Sequence, residues 1–96
     1  MKKIFLFWVI LYGAVSLLQA QGLRLMSYNI KYDNPNDSTN SWDARKEALA
    51  EMLAFYNPGI TGMQEVEHHQ LQYLQSRFGA WRSVGVARDD GKTAGE

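Results

Sequence analysis

No cysteine occurs in the 96 residues, and there are only two prolines. The missing cysteine excludes a disulfide scaffold, a thiolate zinc site and a cysteine nucleophile. An excess of either charge is missing too, because 10 Lys+Arg balance 10 Asp+Glu. That balance hides two unlike pieces. Lys2 and Lys3 are the only charged side chains in the first twenty residues, so the remainder carries a net −2. A mildly acidic body argues against adhesion to nucleic acid or anionic lipid through a basic surface. It leaves a phosphate substrate open, since a bound divalent cation brings its own positive charge. The sequence also lacks a Gly-rich phosphate loop, a nucleophilic serine elbow and a paired-histidine zinc motif. It shows no internal repeat or low-complexity tract. With 46% hydrophobic and 12% aromatic residues, a disordered or collagen-like chain is excluded.

Lys2-Lys3 opens an uncharged stretch, residues 4–20, whose apolar centre is Ile4-Phe5-Leu6-Phe7-Trp8-Val9-Ile10-Leu11. A positive start, an apolar middle and a small residue at the end predict a secretory signal peptide over residues 1–20, cleaved after Ala20. The competing reading is an uncleaved anchor, but the stretch is short for a span of about 20 residues and contains Gly13 and Ser16. No lipobox cysteine follows. Export without disulfides suits a bacterial periplasm or exterior, so the expected location is secreted or periplasmic, without stable membrane insertion after cleavage. A body of 76 residues remains, close to the size at which a domain without staples is marginal. The closing residues 92–96 offer neither a final helix nor a strand. The sequence therefore predicts a truncated chain, with 21–96 as the N-terminal portion of a larger domain.

Within that body, residues 22–30 alternate with period two and predict a strand. Leu23, Leu25, Ser27 and Asn29 fall on one face; Arg24, Met26, Tyr28 and Ile30 fall on the other. Residues 33–41 are dense in Asn, Asp and Ser and predict a loop. Ala48, Leu49, Met52, Leu53 and Tyr56 then recur at helical spacing, with Ser41 or Asp43 as cap and Asn57-Pro58-Gly59 as stop. Residues 60–66 read as a short strand in which Gly62 permits close backbone approach. Residues 68–78 read as a helix burying Leu71, Leu74 and Phe78, with Gly79 as its stop. Residues 81–88 alternate as a third strand ahead of the Asp89-Asp90-Gly91 turn. Strand, helix, strand, helix, strand predicts an α/β fold.

Chemistry in open α/β sheets collects beyond the carboxyl ends of strands, and two polar residues sit there. Glu65 follows an apolar strand, so its carboxylate must be solvated, paired or metal-bound. A hard cation such as Mg²⁺ needs only one or two protein carboxylates; an ion pair with a nearby arginine is the bland alternative. Asn29 offers donors and an acceptor, suited to a metal ligand or phosphate oxygen and equally to capping a turn. The two meet only if their strands are neighbours. His68 and His69 point about 100° apart on a helix and cannot easily chelate one ion; they are read as solvated helix-start residues. Arg88 has the fork for a phosphate and, equally, two adjacent aspartates to pair with.

Taken in order, Leu25-Met26-Ser27-Tyr28-Asn29-Ile30, Trp42-Asp43-Ala44-Arg45, Gly62-Met63-Gln64-Glu65-Val66, Arg88-Asp89-Asp90-Gly91 and Gly95-Glu96 resemble the endonuclease/exonuclease/phosphatase family. This is the family of pancreatic-type deoxyribonucleases, abasic-site endonucleases, sphingomyelinases and inositol-phosphate phosphatases. The likeness is to its secreted bacterial branch and covers residues 22–96, the opening part of the family domain. It implies the N-terminal part of a four-layer α/β sandwich, two packed mixed sheets flanked by helices. It also implies Mg²⁺ (or Mn²⁺) as cofactor, with Glu65 as a carboxylate ligand and Asn29 completing the metal and phosphate site. Glu96 matches a family glutamate that orients the catalytic histidine. The family's general-base histidine and aspartates lie beyond residue 96, and neither His68 nor His69 matches that histidine.

The implied reaction is metal-assisted hydrolysis of a phosphodiester or phosphomonoester, with this chain inactive by itself. Nucleic acid, phospholipid head groups and sugar or inositol phosphates are all substrates within the family, and the fold does not choose among them. The alternative is an exported, non-catalytic binding module on the same scaffold.

Overall fold

A computed structural model describes residues 2–17, with side chains as far as residue 10, and residues 22–96. The expected cleavage point after Ala20 lies outside the described residues. Lys2–Leu17 form a helix, α1, with residues 4–10 exposed. Among the described residues no helix is long and apolar enough to cross a membrane.

The body is built from β1 (Leu25–Asn29), α2 (Trp42–Tyr56), β2 (Ile60–Gln64) and α3 (His68–Arg77), with a single 3₁₀ turn, Ser38–Asn40, ahead of α2. The strands pair in parallel, Leu25 opposite Ile60 and Asn29 opposite Gln64. A parallel pair requires a crossover, and α2 supplies it. Ser41 starts that helix: its Oγ accepts from the Ala44 N–H at 3.3 Å, and Asp43 in the first turn favours the positive end of the helix dipole. Asn57 ends it in the left-handed conformation, φ 45°, and Pro58 forbids another turn. Glu67 starts α3 through a reciprocal capping box with Gln70.

The period-two pattern of β1 sorts its faces as expected. Met26 and Tyr28 turn inward, half-buried, and Ile30 follows at 1% exposure, while Leu25, Ser27 and Asn29 are exposed. Ile30 joins Trp42, Leu49, Leu53 and Leu74 in one core, flanked by Met63, Val66 and Tyr73. Trp42 meets Tyr73 edge-on at 5.7 Å, tying α2 to α3. The buried stripe of α2 is rotated from the expected one: Ala50 is buried, and Ala48 and Tyr56 are exposed.

Two expectations fail. Residues 81–88 form no strand; Val84 and Val86 stand exposed, because alternation makes a strand only where a neighbouring strand accepts its hydrogen bonds. Gly62 is not a point of close approach either. A Cβ there would meet nothing nearer than Gln64 Nε2 at 4.0 Å, because its face of the sheet is open. Crowding falls elsewhere: a Cβ at Gly59 would lie 2.6 Å from Leu23 Cδ1, and one at Gly95, where φ is 85°, would lie 2.6 Å from Asp89 Oδ2.

Candidate functional site

The carboxyl ends of β1 and β2 lie side by side, so the neighbour condition for Asn29 and Glu65 is met: Asn29 is opposite Gln64, and Glu65 is the next residue. Both chains leave the sheet through a non-glycine residue in the left-handed region, Lys31 at φ 62° and Glu65 at φ 59°. Such conformations cost about 1–3 kcal/mol each and persist only where surroundings hold them.

The surroundings here are specific. Asn29 Oδ1 accepts from the Lys31 N–H at 3.0 Å. Glu65 Oε2 accepts from the Tyr32 N–H at 3.4 Å. The two rim side chains are thus held by successive amides of one turn. On the far side of that turn, the Arg45 guanidinium reaches from α2 and donates to the carbonyls of Ile30, Lys31 (2.7 Å), Tyr32 (3.4 Å) and Asn40 (3.1 Å). It also lies 5.4 Å over the Trp42 ring. Gln70, fully buried on α3, donates from Nε2 to the same Lys31 carbonyl at 2.9 Å and accepts the Glu67 N–H at 2.9 Å. The Lys31 ammonium pairs with Asp37 at 2.6 Å.

A second group stands just outside. Asp33, Glu67 and His69 offer donor atoms within 4.8 Å of one another. Their atoms are already engaged: Glu67 Oε2 accepts from the Asp33 N–H at 2.8 Å, and His69 Nε2 lies 2.9 Å from Asp33 Oδ2. These contacts clamp the start of the 30–41 loop onto α3. His69 is therefore an exposed helix-start residue, as expected, with a loop aspartate as its partner.

Glu65 and Glu96 line one cavity of about 940 Å³, between β2, α3 and residues 80–96, together with His68 and Lys92. Asn29 is not among its lining residues; it stands on the exposed sheet face and reaches Glu65 only through the turn. Glu96 Oε1 takes a hydrogen bond from Arg88 at 3.2 Å, and Arg88 Nε lies 3.6 Å from Asp89 Oδ1. Arg88 is thus spent on acids. In the same loop, Asp90 Oδ1 accepts from the amides of Lys92, Thr93 and Ala94 at 2.8, 2.9 and 3.0 Å. The amides of Ala94 first, then Lys92 and Thr93, hold its carboxyl below the usual carboxylate range.

The donor chemistry at the rim fits a hard divalent cation. Glu65 gives a half-buried carboxylate, and Asn29 gives an amide oxygen with one lone pair beyond its bond to Lys31. Mg²⁺ asks for little more from the protein and fills the rest of its octahedron with water. Sequence reasoning missed Arg45 and Gln70 as parts of this site. One signal was present, since Glu67 and Gln70 stand at capping-box spacing before an apolar stripe. The Arg45 fork onto four carbonyls has no local signature.

A parallel strand pair bridged by a helix, with a carboxylate and an amide at adjoining strand ends, is α/β architecture of the kind that opens an α/β sandwich. No protein-family model and no curated protein matches the chain. Solved structures do. The chain is 45% identical to an endonuclease/exonuclease/phosphatase from Bacteroides vulgatus, with a TM-score of 0.73 over 76% of this chain and 28% of that one. It is 34% identical to a mannosyl-6-phosphatase from Bacteroides thetaiotaomicron, with a TM-score of 0.72 over 77% of this chain and 28% of that one. An endonuclease/exonuclease/phosphatase family protein from the same organism is 35% identical, with a TM-score of 0.71 and shares of 76% and 28%. The chain belongs to the endonuclease/exonuclease/phosphatase family, and it spans just over a quarter of the length of the solved relatives it matches.

Proposed function

We propose that this chain supplies the cation-holding rim of an exported, divalent-metal-dependent phosphoesterase. The observation that carries the reading is the placement of Glu65 at the end of β2, beside the end of β1 that bears Asn29. Its support from outside the chain is likeness to family proteins, one of them a mannosyl-6-phosphatase. Glu65 and Asn29 would hold Mg²⁺ or Mn²⁺. A bound cation there supplies positive charge against the phosphoryl oxygens as the ester opens.

The chain's own residues do the rest of the local work. Lys31 N–H orients the Asn29 oxygen and Tyr32 N–H orients the Glu65 carboxylate, so neither has to be ordered when substrate arrives. Glu96, which lines the same cavity as Glu65, would position the general base by resemblance, that base being contributed from beyond residue 96. Arg88 keeps the Glu96 carboxylate in place. The segment 1–20 would act as the export signal, giving a secreted or periplasmic protein. The 34% identity to a mannosyl-6-phosphatase makes sugar phosphomonoesters the first substrate class to assay. Phosphodiesters of nucleic acid and phospholipid head groups come next.

Glu65→Gln in the protein that carries this chain tests the reading. It should lower Mg²⁺-dependent phosphoester hydrolysis by about a hundredfold or more, because the cation's charge stabilisation is worth several kcal/mol, with the fold retained by circular dichroism. Unchanged turnover would sink the enzymatic role of this rim. Absence of phosphoester turnover in the unsubstituted protein would favour the binding module instead.

A further inference from the structure

The turn after β1 is held more heavily than loop closure requires. Lys31 adopts φ 62°, and every polar group it owns is engaged. Its N–H goes to Asn29 Oδ1, its carbonyl accepts from both Arg45 and Gln70, and its ammonium pairs with Asp37. The flanking carbonyls of Ile30 and Tyr32 also accept from Arg45. The outer side of this turn faces Asn29 and Glu65 with N–H groups. Its inner side faces two donors from two different helices.

We infer that Arg45 and Gln70 are positioning residues for the cation-holding rim: converging on the Lys31 carbonyl, they fix the turn whose amides aim Asn29 and Glu65. The inference rests on the functional reading above and deepens it. The physical logic is that of outer partners around a metal ligand, which set the direction of a first ligand without touching the ion. Gln70 is suited to the task because it is fully buried with its amide nitrogen and oxygen both matched, so it has no alternative partner to drift toward. Arg45 is suited because a planar fork reaches several carbonyls at once, which an ammonium does not. Its guanidinium also lies 5.4 Å over the Trp42 ring, a cation–π contact that helps hold it in place.

Two variants of the full chain test this, with Mn²⁺ as the probe. Arg45→Lys keeps the charge and removes the fork. Gln70→Met keeps length and packing and removes both hydrogen bonds. Each should raise the Mn²⁺ dissociation constant by about tenfold or more, read by titration calorimetry. Leu53→Ala, a core change whose side chain makes no hydrogen bond to the turn, serves as the control. It shares the core with Ile30 and lowers the unfolding midpoint, yet should leave Mn²⁺ affinity within about twofold of the parent once folded, because the turn's hydrogen bonds are kept. Glu65→Gln separates the two claims. Loss of Mn²⁺ binding in Glu65→Gln with unchanged affinity in both Arg45→Lys and Gln70→Met overturns the positioning role alone. Unchanged binding in Glu65→Gln overturns the underlying reading. Should Arg45→Lys fail to fold, Gln70→Met decides; loss of fold in both overturns the inference, because the pair would then serve the core rather than the rim.

Discussion

Two loops border the rim, and they are built on opposite principles. Residues 30–41 begin with the buried Ile30 and are gripped from outside by Arg45, Gln70, Glu67 and His69. Residues 78–96 begin with a stacked Phe78–Trp81 pair at 4.4 Å and then run exposed through Val84 and Val86. Beyond that their hydrogen bonds fall largely within the segment: Arg88 N to Glu96 O, Asp89 N to Ala94 O, Gly91 N to Ala87 O. Gln75 to Ser83 is a tie to α3. The first loop is ordered by the core; the second touches the core at Phe78 and Trp81 and beyond them is ordered chiefly by itself. Order borrowed from a core is cooperative with the whole fold, whereas local order opens separately and cheaply.

The sharpest way to break that contrast is to remove equivalent apolar groups from each loop. Ile30→Ala deletes a side chain that is 1% exposed and should cost about 2–5 kcal/mol in urea unfolding of the chain. Val84→Ala alters a side chain that is fully exposed and should stay within about 0.5 kcal/mol of the parent. Similar costs at the two positions would mean that residues 81–88 pack somewhere, and the distinction between the loops would be lost.

The same contrast explains what was legible in the sequence. Both helices of the body and both paired strands follow from local signals: the Ser41 cap, the Asn57-Pro58 stop, the Leu71–Leu74–Phe78 stripe and the Met26–Tyr28–Ile30 alternation. Residues 81–88 carry an equally clean alternation, yet form no strand, because a strand's partner is not written in its own residues. Asn29 and Glu65 were legible as strand-end polar groups, and the register puts their strand ends side by side. Arg45 and Gln70 were not. Arg45 closes a stretch quoted for the resemblance, but the role of both residues comes from reaching across 14 and 39 positions to one carbonyl, and only the folded chain brings those together.

A smaller test acts at the junction of the gripped loop with its helix. Ser41→Ala removes the oxygen that accepts the Ala44 N–H. The loss should be about 1 kcal/mol, the usual worth of a serine cap, measured by the same unfolding experiment. Glycine at this position should recover most of it, leaving a cost of only a few tenths. A much larger cost from Ser41→Ala would show that the cap also anchors the 3₁₀ turn Ser38–Asn40, making the loop still more dependent on the fold.

The smallest effect concerns the self-ordered loop and is set by pH. Asp90 accepts three amides as an ionised carboxylate, and those bonds lower its proton affinity in the folded loop. A group whose folded pKa is depressed contributes order above its unfolded value and loses it as pH falls through the folded one. The unfolded value is near 4, as for any aspartate, so the loop is fully ordered at neutral pH and loosens only below that value. Hydrogen exchange at the Lys92, Thr93 and Ala94 amides should accelerate, relative to the intrinsic rate at each pH, as the solution is acidified past this point. The amides of α2 should keep their protection there. Asp90→Asn should give the acid-loosened pattern already at neutral pH, because an amide oxygen accepts these bonds more weakly than a carboxylate. If protection in residues 92–94 fell only together with that of α2, the second loop would be part of the cooperative fold after all. The two borders of the rim would then differ in exposure but not in how they are held.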